Sequence, residues 1–441
     1  MKKRNGLALL ALSFSILTTA CSNGSENTAA IGGSNPANAA ANKPADTSNA
    51  APAAPAKDPV TLNFSTNASG GTLEAFKAIT DQFNQAHQGI TVEVADLGKD
   101  FNTLMTAKMA SNDMPDLFST AGWSVRRFGE YLLPLNDRSW AGQVEGQIKP
   151  VVTDMAGNLV ALPMDIDISG IVYNAKILKD LNLTVPQTWD QFLADCEAIK
   201  KAGLTPIAIA GKDGDAAGFM SRIALSLLVQ SNPSYKDAFD SKTFDWKQFG
   251  PVTDFVLNLK AKGYLNKDNL TADKPSVYAQ FAKDQVAFAF QSNQTIAEIK
   301  KLNPDSSVSM MMLPVSGDGA QPFLISGERD SVGVWKDSKH QEEALTFLDF
   351  LAQPENVQKI AESYALPAGL TGVKSDLGAL QSVYDQYAQA AVSNHFDRQY
   401  LPNGMYTTLG TVGTAILSGT MDPAHAESAL SDDYVRLNNA N

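Results

Sequence analysis

The sequence predicts an α/β protein of two lobes, each a doubly wound sheet with flanking helices. Short β-branched and aromatic runs alternate with apolar stripes of helical period, the pattern of sheets covered by helices. The set occurs once from Thr61 to Ser119 and again after Thr205. The stretch from Asp58 to Asn441 also exceeds the roughly 250–300 residues that one hydrophobic core serves.

The first set reads strand 61–65, helix 72–87, strand 91–95, helix 101–110 and strand 116–119. Leu73, Phe76, Ile79 and Phe83 make the helical stripe, with Thr72 as the expected N-cap. Such alternation predicts parallel strands with right-handed crossovers, and ligands bind beyond the carboxyl ends of those strands. Asn67 and the Thr120–Trp123 turn are therefore expected on one rim. An extended stretch, 164–173, leads to the second set. Thr188 and Trp189 open a helix to Lys201, followed by strand 205–210, helices 219–230, 250–263 and 277–283, and strand 286–290. A helix after Asn293 and strand 307–312 complete it. Strand 331–335, helix 341–351 and a helix with Pro354 in its first turn come next, and the C-terminal part is helical.

The N-terminus carries Lys2, Lys3 and Arg4, an apolar run from Leu7 to Leu17 and small residues before Cys21. That is the layout of a lipoprotein export signal, and the run is short of the about 20 apolar residues a bilayer span needs. Thr18 stands where such signals usually have leucine. Residues 22–57 are almost all Ala, Asn, Ser, Pro, Gly and Thr, too poor in apolar surface to fold, and read as a tether from a lipidated Cys21. With Cys21 so used, Cys196 has no partner and falls in the stripe Trp189, Phe192, Leu193, Cys196 and Ile199, as a small core residue. The formal charge of −12 disfavours nucleic acid as a partner.

Leu159 to Pro163 followed by Ile171-Val172-Tyr173-Asn174, Pro186 to Asp190 at a helix start, Phe281 to Phe290, and Ser331 to Val334 with Pro354-Glu355 come in a characteristic order. In that order the chain resembles the family 1 extracellular solute-binding proteins, which include maltose-binding protein. The resemblance implies a two-lobed fold of the type II periplasmic-binding-protein kind, with ligand bound between lobes that close about a hinge. It implies a carbohydrate ligand, an ABC transporter permease as partner and no cofactor; a monomer on the outer face of the cell membrane is expected, anchored by lipid alone. The expected division is signal 1–20, tether 21–57, first lobe 58–166 and 328–366, second lobe 167–327 and 367–441. Crossings are expected near 165–168, 326–331 and 365–370. Lys283-Asp284 departs from the family's glycine-containing pair, at a turn.

Asp165 and Asp167 are two apart in an extended segment and share one face. Such carboxylates accept strong hydrogen bonds from sugar hydroxyls, although a glycosidase or a solvated strand also offers paired carboxylates. Asp167 matches a position that often carries a ligand-binding carboxylate in the family. Trp123 is expected to stack on a sugar ring, and Asp215 and Phe219 at a helix start to face the ligand. Asn293 and Gln294 stand where the family often places a stacking aromatic, which favours hydrogen bonding there. Glu328 and Arg329, at the second crossing, and Phe396, in the run His395 to Arg398, complete the candidates. Met310 to Met312 read as strand core.

There is no HExxH, Walker A or CxxC motif, no GxSxG in the folded part, and the four histidines lack metal-ligand spacing. The competing readings are a secreted carbohydrate-active enzyme using Asp165, Asp167 or Glu328, and a scaffold or sensor lipoprotein with the same fold.

Overall fold

The computed structural model describes residues 58–120, 127–316 and 321–439. Cys21 and Trp123 lie outside them. Alternation in β1 (Val60–Thr66) turns Leu62 and Phe64 into the core, and the next helix, Gly70–Ala86, covers them with Phe76, Ile79 and Phe83. Phe64 and Phe76 meet edge to face at 5.4 Å, a geometry the ring quadrupoles favour. The helix starts two residues earlier than the sequence suggests: Ser69 is the N-cap, and Thr72 is buried with Oγ1 2.7 Å from the Ser363 hydroxyl.

Three sheets order the chain. The first runs β2 (Ile90–Asp96), β1, β3 (Leu117–Ser119), β11 (Ser331–Val334), β4 (Leu162–Pro163). The second runs β7 (Thr205–Ile207), β8 (Val286–Ala289), β6 (Ile171–Asn174), β9 (Val308–Met311). The third is β12 (Val392–Ser393), β10 (Leu324–Gly327), β5 (Asp167–Ser169). β1, β2 and β3 are parallel as the alternation predicts, and so are β7 and β8. β11 runs antiparallel to both neighbours, and so does β6. These strands reach their partners across long excursions, so no single crossover helix fixes their direction.

Two lobes follow from the cores. Leu62, Phe64, Ile166, Val332 and Phe347 belong to one apolar cluster, whereas Ile171, Phe192, Phe288 and Ile325 belong to another, extended by Ile168, Val172 and Phe281 on the other face of the second sheet. Cluster membership therefore changes between Ile166 and Ile168 and between Ile325 and Val332. There β5 and β10 lie antiparallel, with Asp167 opposite Gly327. A third passage runs beside them: Asp165 bridges Ala368, and Ile166 N–H donates to Pro367 O at 2.9 Å. Leu366 packs in the second lobe, Ala368 and Leu370 in the first, and Leu377 in the second again.

The helix Trp189–Lys201 opens on a capping box: Thr188 Oγ1 accepts from Gln191 N, and Gln191 Oε1 accepts from Thr188 N. Its stripe buries Trp189, Phe192, Cys196 and Ile199, so the lone thiol is core, its pKa pushed up by burial. Met310 and Met311 are buried in β9, while Met312 is half-buried. At the turn before β8, Asp284 takes φ +56°, a left-handed conformation that aspartate tolerates better than most residues, and its carboxylate accepts from Asn174 Nδ2 at 2.8 Å.

Candidate ligand-binding site

Three elements of different sequence origin converge on the second-lobe end of the crossing strands. β5 brings Asp167 and Ser169. The helix Asp215–Ala224 brings Gly218, Ser221 and Arg222, and the segment around the short helix Phe396–Tyr400 brings His395, Asp397 and Arg398. With Ser292 and Tyr406 they line a cavity of about 240 Å³. Phe396 and Tyr400, one helical turn apart, are buried, which turns Asp397 and Arg398 toward the cavity.

The charges interlock. Arg222 Nη2 donates to Ser169 Oγ at 3.3 Å, and Ser221 Oγ donates to Asp397 Oδ1 at 3.1 Å. Arg398 Nη1 donates to the Glu328 carbonyl at 3.3 Å. Gly218 makes room for the guanidinium, since a Cβ there would lie 2.6 Å from Arg222 Nη1. Asp167 Oδ1 and Arg222 Nε are buried without a hydrogen-bond partner among the described residues. Burial raises the Asp167 pKa, and Arg329, Arg398 and Arg222 oppose that rise. Burial lowers the Arg222 pKa against the pull of Tyr406, Asp215, Asp167 and Asp397. His395 is held well below its ordinary pKa by burial and then by Arg398 and Arg222, so its ring is neutral at pH 7. The cavity thus offers carboxylate acceptors, guanidinium donors and hydroxyls that do both, the set that pairs with a polyol.

From the first lobe, Arg127 reaches across. Nη1 donates to Asn102 Oδ1 at 2.6 Å and Nη2 donates to Asn403 Oδ1, beside Tyr406. Burial lowers its pKa to about 10, with Asp397 opposing.

Of the residues expected from sequence, Asp167 lines the cavity. Asp165 does not: fully buried, it accepts from the Arg329 and Asp330 backbone N–H groups at 2.7 and 3.2 Å and ties two crossings together. Glu328 is also fully buried, with Oε1 accepting from Ser331 Oγ at 3.4 Å. Arg329 stacks over Tyr364 at 4.4 Å and adds its field to Asp167. Thr120 is locked into the first sheet through the backbone and hydroxyl of Ser331. Asp215 accepts from Ala210 N and Gln291 Nε2 and faces Lys274 Nζ at 3.5 Å, so its oxygens are occupied. Asn293 is buried, donating to the Tyr384 hydroxyl at 2.6 Å, while its neighbour Ser292 lines the cavity. Gln294 begins the following helix half-buried. Asn67 is half-buried, with a side-chain oxygen lacking a partner among the described residues.

Phe219 and Phe396 are corrections. Phe219 is 2 % exposed, edge-on to Phe290 at 4.8 Å, and Phe396 is fully buried, edge-on to Phe239 at 5.4 Å. Neither ring has a face open to a ligand. Ser169, Ser221, Arg222 and Tyr406 were not foreseen. Arg222 had a signal, as the one charge between Asp215 and Gln230 in an otherwise apolar helical run.

A family model described as bacterial extracellular solute-binding protein matches residues 68–358. The melibiose/raffinose/stachyose-binding protein MelE of Bacillus subtilis (strain 168) is 31% identical over 388 residues, 87% of this chain and 90% of that one. A sugar transporter from Bacillus licheniformis, solved in complex with stachyose, is 34% identical, with TM-score 0.74 over 86% of this chain and 100% of its own. A Bacillus subtilis protein named msme, solved in an open conformation, is 30% identical, with TM-score 0.81 over 87% and 99%.

Proposed function

The chain belongs to the bacterial extracellular solute-binding proteins, and on that premise we propose that it is the receptor through which an ABC importer takes up an oligosaccharide built on galactosyl units. The family is one of receptors and not of enzymes, and its members work outside the cytoplasm. Among the described residues no helix is long and apolar enough to cross a membrane. One observation carries the ligand class: the cavity where Asp167, Asp397 and Arg222 converge with hydroxyl groups and a neutral imidazole. Vicinal hydroxyls of a sugar donate to the carboxylates and accept from the guanidinium. The names of MelE and of the stachyose complex supply the galactoside choice.

The changes of core along the chain support a first lobe of residues 58–166 and 328–366 and a second lobe of residues 167–327 and 367–441, with the third crossing spread over Leu366 to Leu370. A sugar held at the crossing strands contacts both lobes and stabilises the closed form, which the permease reads. The lipid anchor at Cys21 and a monomeric state belong to the same proposal; mass spectrometry of the N-terminus shows a diacylglyceryl cysteine if the anchor is right.

Calorimetric titration with melibiose, raffinose, stachyose and, as a glucose-only control, maltotriose tests the reading. The galactosides are expected to bind at micromolar Kd or better, about −8 kcal/mol, and to be recovered unchanged. Heat with none of them, or preference for maltotriose, rejects the ligand class.

A further inference from the structure

A second cavity, of about 490 Å³, opens between the lobes. Its wall includes Gln147 from the first lobe, Gln230 and Lys236 from the second, and Val392, Asn394 and Gln399 from the segment that also walls the charged cavity. The segment divides its residues between the two spaces: His395, Asp397 and Arg398 face the charged cavity, whereas Asn394 and Gln399 face the second. One short stretch of chain is therefore the partition between two rooms of one cleft.

The volumes and the chemistry differ in the same direction. The charged cavity, about 240 Å³, is smaller than the roughly 300–1,000 Å³ of sites that enclose whole ligands, and the second falls within that range. No carboxylate lines the second cavity, and Lys236 is the one charge among its lining residues. Four amides, of Gln147, Gln230, Asn394 and Gln399, supply donors and acceptors together, as sugar hydroxyls require. Gln230 Nε2 is held by a 2.9 Å hydrogen bond to Ser393 Oγ, and Val392, 39 % exposed, offers apolar surface to the apolar face of a ring.

We propose that this amide-lined cavity is a subsite for the further sugar units of the oligosaccharide, the charged cavity gripping one ring. The assignment rests on the function proposed above and adds to it a preference for longer chains. The test compares melibiose, with two rings, and stachyose, with four, by calorimetry on the full chain. The variants are Asn394→Ala, which removes an amide, and Gln147→Trp, which fills the cavity from its exposed side. Stachyose is expected to weaken by about tenfold or more in each, and melibiose to stay within about twofold. Stachyose unaffected by both variants, or melibiose weakened equally, overturns the subsite while the receptor reading stands. A wild-type protein that binds neither sugar removes the receptor reading and the subsite with it.

Discussion

Two knots of charge lie a few residues apart on the crossing strands, and they are built in opposite ways. In the knot of Asp165, Glu328 and Asp330 the carboxyls are buried, and Asp165 spends both its oxygens on backbone N–H groups of the protein itself. Burial, and for Asp165 also the neighbouring Asp330, raises the pKa values of the two aspartates, that of Asp330 to about 6. In the knot of Asp167 and Asp397 the carboxylates face Arg222 and Arg398 across an open cavity, and Asp167 keeps an oxygen without a partner among the described residues. The difference separates the use of a carboxyl to hold a hinge from its use to hold a ligand. Two aspartates only two residues apart fall on opposite sides of that line.

The sharpest way to break the comparison is Asp165→Ala. Two buried N–H groups lose their acceptor, and stability to urea is expected to fall by about 3 to 4 kcal/mol. Asp165→Asn, which keeps one acceptor oxygen, is expected to cost about half of that; a loss below about 1 kcal/mol for the alanine would deny the hinge role. Arg222→Met addresses the other knot. Galactoside affinity is expected to drop about a hundredfold, near 2.7 kcal/mol, while the midpoint of unliganded unfolding barely moves. An unchanged affinity would place Arg222 outside the recognition surface.

A pH comparison comes next in size. The protonated Asp330 carboxyl stabilises the folded state because its folded pKa, about 6, lies above the ordinary carboxyl value. That contribution is fully present below the unfolded pKa, about 4, and is lost as pH rises through about 6. Between pH 5 and 7 wild-type stability is expected to fall by about 1 kcal/mol more than that of Asp330→Asn, as read from urea midpoints. Equal slopes would show that the buried carboxyl titrates normally. The smallest effect is expected from Phe396→Leu, which should lower stability by about 1 kcal/mol and leave galactoside affinity within about threefold. A large loss of affinity without loss of stability would return that ring to the site.

The same contrast explains what was legible beforehand. The alternation of strands and helices gave the α/β class, and the length gave two lobes, because both depend on local periodicity and on the size of a core. Strand direction at β6 and β11 was not legible, since their partners are fixed by excursions through other parts of the chain. Asp167 was found through its extended segment, but the same logic put Asp165 beside it; only backbone donors from Arg329 and Asp330, remote in sequence, reveal that its oxygens are occupied. The run His395 to Arg398 was located, yet the aromatic at its centre was favoured over the polar residues around it. In a helix that short the pair Phe396 and Tyr400 anchors the inner face, so the polar neighbours turn outward. Arg222 was missed because a charge in an apolar helix reads as surface until a cavity is seen beside it.

Small-angle X-ray scattering with and without saturating stachyose tests the central claim most directly, that a sugar held at the crossing strands draws the two lobes together. The account predicts a smaller radius of gyration in the wild-type protein and no contraction in Arg222→Met at the same sugar concentration. A wild-type radius that does not change when calorimetry shows the site filled would contradict it.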